Sequence, residues 1–248
     1  MNVRCGIVLL AAQLIPVPSA FSQDHLEPEA GILNALDSEL DYAKSIRGVL
    51  LKGAAGYYLA RMVCLPSFET EWVVTVVRED AEDQDDPQTY YVEYVGAQSM
   101  IHQSKDPEGV KVRKARAALD SDTAELLNKT WHRMLQRTRY PKNPEPGADG
   151  VSYHFSRFVP LINRGMGDPD AGWEQGKTWS PDEDSLCGEM VAIGEALKDF
   201  ALTKPGDRKR SGLLIRDRTL RLKVKLDRSA RNERARPGGN GDVARIGS

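Results

Sequence analysis

The sequence predicts an α+β fold: one antiparallel sheet with helices packed on one face. Two observations lead there. The elements run helix, several strands, helix, strand, helix, and the strands are joined by short or turn-rich links. Irregular alternation disfavours a doubly wound parallel sheet, while short links suit hairpins. No internal repeat is visible at any fixed period.

The chain opens with the layout of a secretory signal in residues 1–22. Arg4 precedes an apolar run over residues 5–15, followed by Pro16, Pro18 and the small residues Ser19, Ala20 and Ser22. The run is about half of the roughly 20 residues that a membrane-spanning helix needs. Cleavage after Ser22 places Ala20 and Ser22 at the two positions that must be small, so the expected mature chain starts at Gln23 and is periplasmic or secreted. Cys5 leaves with the signal.

Residues 23–204 are expected to form the single α+β domain, 40% of the whole sequence being hydrophobic. Ile32, Leu36, Leu40 and Ala43 recur at helical spacing and predict a helix over 29–47. Tyr, Val and Thr then dominate short runs at 57–65, 72–78, 89–95 and 110–117, which read as strands. Asp122 with Glu125 has the form of a capping box, and Leu127, Trp131 and Met134 place one stripe on the following helix, to about 139. Pro141, Pro144 and Pro146 end it. Asp149-Gly150 turns into a strand over 151–155, in which Val151, Tyr153 and Phe155 alternate with polar residues. A Gly-rich loop runs through Gly165, Gly167, Gly172 and Gly176 to Trp179-Ser180-Pro181. A last helix is expected from near Asp182, with Leu186, Met190, Ile193, Leu197 and Phe200 on one face.

Residues 205–248 form a basic tail, with 13 Lys or Arg against 5 Asp or Glu, although the whole chain carries a net charge of only −2. Leu220, Leu222, Val224 and Leu226 alternate with cations and suggest a strand over 220–226, with disorder beyond. Electrostatic association of this tail with a surface is one expected interaction.

The chemistry is less explicit. No Gly-x-Ser-x-Gly elbow occurs, no phosphate-cradling glycine turn joins a strand to a helix, and His25, His102, His132 and His154 are scattered singly. No metal, cofactor or specific nucleic acid is therefore expected. Ser180 and Ser185 read as turn and capping residues. Cys64 and Cys187 remain after processing; they are either a disulfide or buried small hydrophobes. The candidate ligand-binding residues are Tyr153, His154, Arg157, Trp173 and Trp179, aromatic or charged groups around the Gly-rich loop; core filling is the other reading of the aromatics.

Several motifs in order resemble a group of exported bacterial proteins of unknown function. They are Tyr57-Tyr58-Leu59-Ala60-Arg61 with Pro66-Ser67-Phe68, Trp131 with Arg139-Tyr140-Pro141, Asp149-Gly150-Val151-Ser152-Tyr153-His154-Phe155, and Trp179-Ser180-Pro181. The likeness covers about residues 55–203 and implies no activity. The leading expectation is a non-catalytic binding protein of the cell envelope, of inhibitor or immunity type, that takes a protein or small envelope ligand. The alternative is an envelope hydrolase using His154 with carboxylates such as Asp149, Glu189 or Glu195.

Overall fold

The computed structural model describes residues 24–29, 41–53, 58–79, 88–141, 149–158 and 172–235. The signal sequence, the first part of the expected leading helix, the acidic stretch at 80–87, most of the Gly-rich loop and the end of the tail lie outside the described residues.

Ten elements follow in order: α1 (Asp41–Leu50), β1 (Ala60–Pro66), β2 (Trp72–Glu79), β3 (Thr89–Ala97), β4 (Val112–Leu119), α2 (Ser121–Leu135), β5 (Val151–Phe158), β6 (Trp173–Trp179), α3 (Leu186–Leu202) and α4 (Arg208–Ala235). The six strands make one sheet in the order β4-β3-β2-β1-β5-β6, antiparallel at every pairing. This is the expected α+β class. Residues paired in register share a face, so Met62 lies beside Val74 and Phe155, and Val63 beside Val73 and His154. The first face holds the main core. There Met62, Val74, Val92, Ala117 and Phe155 meet Leu127, Trp131, Met190, Ile193 and Leu197 from α2 and α3.

The central strands explain themselves once both faces are considered. β1 is buried along its whole length and β2 over its first six residues. Near-continuous burial of this kind requires cover on both sides of a sheet. Part of the second face is covered by α1, whose Ile46 and Leu50 pack with Val63, Leu65, Val73, Ala97 and Ile101. The helices are thus not all on one face: α2 and α3 lie on the first, with α4 packed across them, and α1 lies on the second.

The largest revision is the basic tail. Residues 208–235 form α4, and no strand occupies 220–226. Its buried positions are Ile215, Thr219, Leu222 and Leu226, spaced by four, three and four residues. Leu222 and Leu226 face inward while Leu220 and Val224 face out, so an apparent period of two conceals a helical stripe. A second revision is β6, which lies within the glycine-rich stretch and pairs along its length with β5.

Helix starts also shift. Asp120, not Asp122, caps α2 by accepting the Thr123 N–H at 2.9 Å. Ser185, three residues after Asp182, caps α3 by accepting the Gly188 N–H at 2.9 Å.

Residues 24–29 run along the free edge of β6. Glu27 and Lys177 exchange two backbone hydrogen bonds of 2.8 Å, and Arg139 N donates to Leu26 O at 2.9 Å. Leu26 is fully buried above Gly176, where an added Cβ would meet the Leu26 Cβ at 2.9 Å. Glycine is needed there for close approach of the strap. Of the two readings of the cysteines, the disulfide is the one the structure rejects. Cys64 and Cys187 are both buried free thiols. Cys64 points from β1 between Trp72 and Tyr153 of the neighbouring strands, whereas Cys187 donates to His25 O of the strap at 3.1 Å.

Candidate functional site

A cleft of about 590 Å³ opens between α3, α4, the start of β5 and the turn at 180–184. Its size falls in the range of small-ligand sites. The α3 sequence creates the space: Ala192 and Ala196 face it and carry too little volume to fill the distance to α4. Glu195 and Asp199, four residues apart, share that helical face, and Glu183 and Asp184 approach from the turn. Arg218 and Arg221 of α4 stand on the opposite wall. Tyr153 contributes from the sheet. Two walls of opposite sign therefore face one another across the gap.

Fixed partners hold part of this array. Lys225 joins Glu189 at 2.7 Å and donates to Asp184 O at 2.9 Å, tying α4 to the start of α3. Lys198 pairs with Glu195 and lies 4.5 Å from the centre of the Trp72 ring. Burial opposes the charge of Lys198, but the hydrogen bond and charge of Glu195 outweigh it and leave the ammonium pKa above its usual value. Burial, reinforced by the charge of Glu195, raises the Tyr153 phenol, which stays protonated. The Nε–H of Arg218 is buried with no hydrogen-bond acceptor. That nitrogen is shielded from solvent, so it is the rest of the Arg218 guanidinium and Arg221 that face the cleft carboxylates.

One rim of the cleft is built from motifs far apart in sequence. Ser67 Oγ donates to Gly150 O at 2.9 Å, and Gly150 N approaches the same hydroxyl at 3.2 Å. Val151 N donates to Ser180 Oγ at 2.9 Å, and Ser180 N donates to Val151 O at 2.9 Å. Ser180 adopts φ +37°, unusual for a residue with a Cβ. A Cβ on Gly150 would collide with the Trp179 ring and Ser180 Oγ. The segments Pro66-Ser67, Asp149-Gly150-Val151 and Trp179-Ser180-Pro181 consequently close on one another at a single corner.

The five residues chosen from sequence do not form one site. Tyr153 and Arg157 lie on the first face; His154, Trp173 and Trp179 lie on the second. Of the five, Tyr153 lines the cleft. Arg157 sits 3.7 Å from Glu174, which also accepts from His132 at 2.7 Å and Gln136 at 3.1 Å. His154 is buried and pairs with buried Glu29 at 3.0 Å, pinning the strap from below. Trp173 packs edge-on to Phe158 and against Tyr58, with ring centres 5.0 and 5.2 Å apart. Trp179 covers Gly150.

The acid–base set of the hydrolase alternative is likewise divided. His154 lies across the sheet from Glu189 and Glu195, and both carboxylates are held by lysines. Sequence reasoning missed Arg218 and Arg221 because the tail was not read as a helix packed on α3; their three-residue spacing was the available signal. Among the described residues, no three His, Cys, Asp or Glu side chains are grouped to hold a metal ion. No helix there is long and apolar enough to cross a membrane. Fold and cleft together define an α+β protein with a charge-polarised groove beside its sheet. Comparison with family models, curated proteins and solved structures finds no match.

Proposed function

We propose that this chain is an exported, non-catalytic binding protein of the cell envelope, of inhibitor or immunity type, which receives a charged segment of a partner protein in the α3–α4 cleft. The observation that carries this reading is the facing of Arg218 and Arg221 against Glu195 and Asp199 across the cleft. A segment bearing an acidic and a basic group satisfies both walls, and expelled water strengthens each contact. The resemblance to exported proteins and the signal-like residues 1–22 support the compartment.

Capture from the organism's own envelope fraction tests the binding. The protein should recover one stoichiometric protein partner, and Arg218→Ala/Arg221→Ala should recover at least about tenfold less, as expected when buried charge contacts are removed. Equal recovery by the variant moves the site away from the cleft; recovery of nothing but small molecules rejects the protein partner. Fractionation and N-terminal sequencing test export. Protein starting at Gln23 outside the cytoplasm is the expected result, and an intact residue 1 on cytoplasmic protein overturns it.

A further inference from the structure

The outer side of α4 belongs to neither the core nor the cleft. Leu213, Leu220 and Val224 are 55%, 41% and 45% exposed. Their spacing of seven and four residues aligns them on one side of the helix, in a line roughly 16 Å long at 1.5 Å per residue. Exposed cations frame this line. Lys209 and Arg216 flank it on one side, Arg210 and Arg228 on the other, and Arg231 continues it toward the helix end. None of these five makes an ion pair with a described residue, whereas Asp227 and Glu233 are held by Arg133 at 2.8 Å and Arg137 at 2.7 Å. Asp217 is the acidic group exposed between these cations; Glu233, also exposed, is taken up by Arg137.

We infer that α4 docks this protein on an anionic lipid surface, its axis lying in the plane of the headgroups. The three apolar side chains enter the headgroup–acyl boundary while the flanking cations reach anionic headgroups through their aliphatic stems. Charge alone would suit any polyanion; the apolar line is what selects lipid, because nucleic acid phosphates would leave Leu213, Leu220 and Val224 without use. The polarity of the molecule orients it. Residues 205–248 are basic and the remainder acidic, so an anionic surface attracts the α4 side and repels the body. The cleft on the inner side of α4 stays open to a partner.

Co-sedimentation of the purified protein with vesicles tests this. Equimolar phosphatidylglycerol and phosphatidylcholine should bind it at about 0.05 M salt and release it at about 0.5 M, and phosphatidylcholine alone should not bind it. Leu220→Gln/Val224→Gln and Arg228→Glu/Arg231→Glu should each weaken binding about tenfold or more. These positions are exposed, and unchanged melting would confirm that the variants fold. Equal binding to both vesicles, or none to either, overturns the inference. So does charge-dependent binding indifferent to Leu220→Gln/Val224→Gln, duplex DNA bound as tightly as the anionic vesicles, or a dimer in solution that the same substitutions dissociate.

Discussion

Glu71 shows how one side chain can hold two parts of the second face together. Its fully buried carboxylate accepts from Ile101 N at 2.8 Å, His102 N at 3.1 Å and Tyr42 Oη at 3.2 Å, and meets His102 Nδ1 at 3.0 Å. Burial pushes its pKa up, but the hydrogen bonds from Ile101 and His102 outweigh that and hold it below the ordinary Glu value of 4.5. A depressed carboxylate stabilises the folded state above its unfolded pKa and loses that contribution as pH falls through the folded value. Glu71→Gln should therefore cost about 2 kcal/mol at neutral pH, and the gap from the parent should narrow below pH 4.5. Urea unfolding at a series of pH values measures this; a gap independent of pH would show that the carboxylate's charge contributes nothing. The thiols give a second prediction. Burial raises both, Cys187 to about 12 despite its hydrogen bond with Thr178. Native protein should leave a disulfide reagent unreacted, and unfolded protein lacking residues 1–22 should release two thiols. Fewer than two would restore a disulfide.

Helix α3 makes the case for packing at the level of the element. A Cβ on Gly188 would run into the backbone carbonyl oxygen of Asp182, and one on Gly194 into the sulfur and terminal methyl of Met62. Backbone at a capped turn has little freedom, whereas a methionine end can rotate away. Gly188→Ala should lose roughly 1–3 kcal/mol, while Gly194→Ala should be close to neutral, overlap being offset by about 1 kcal/mol of helix propensity. Similar melting of the two variants would contradict the contrast. The same helix was the most legible in the sequence, because Met190, Ile193, Leu197 and Phe200 all prove buried at the spacing that predicted them. β1 to β4 were legible through runs rich in Tyr, Val and Thr, and β5 through the alternation of Val151, Tyr153 and Phe155. β6 was not: Gly176 serves close approach by Leu26, and glycine in a run otherwise signals a loop. The site was half legible. Tyr153, Glu189 and Glu195 carry visible chemistry, but which face each occupies depends on register, and the Arg218 wall depends on a helix whose pattern also fits a strand.

At the scale of the molecule, α4 decides whether residues 205–235 are an appendage or part of the fold. Its inner stripe of Ile215, Leu222 and Leu226 is at most 1% exposed and belongs to the same core as Trp131 and Phe155. The surface pairs Arg133–Asp227 and Arg137–Glu233 join α4 to α2 and the turn after it while adding little energy. The apolar stripe supplies the binding. Truncating one such leucine costs about 2–5 kcal/mol, and a domain of this kind has only about 5–15 kcal/mol in total. Leu222→Ala should thus lower the melting temperature by several degrees, and a chain ending at Lys204 should lose its cooperative transition and bind a dye for exposed apolar surface. The exposed substitution Leu220→Gln, one residue pair away on the alternating pattern, should leave melting unchanged. This pairing discriminates sharply, since a strand or a solvated tail over 220–226 would make the two leucines equivalent or both indifferent. If truncation at Lys204 leaves a cooperative domain of unchanged stability, the core closes without α4, and neither the cleft nor the lipid-facing side retains the support that its packing on α2 and α3 provides.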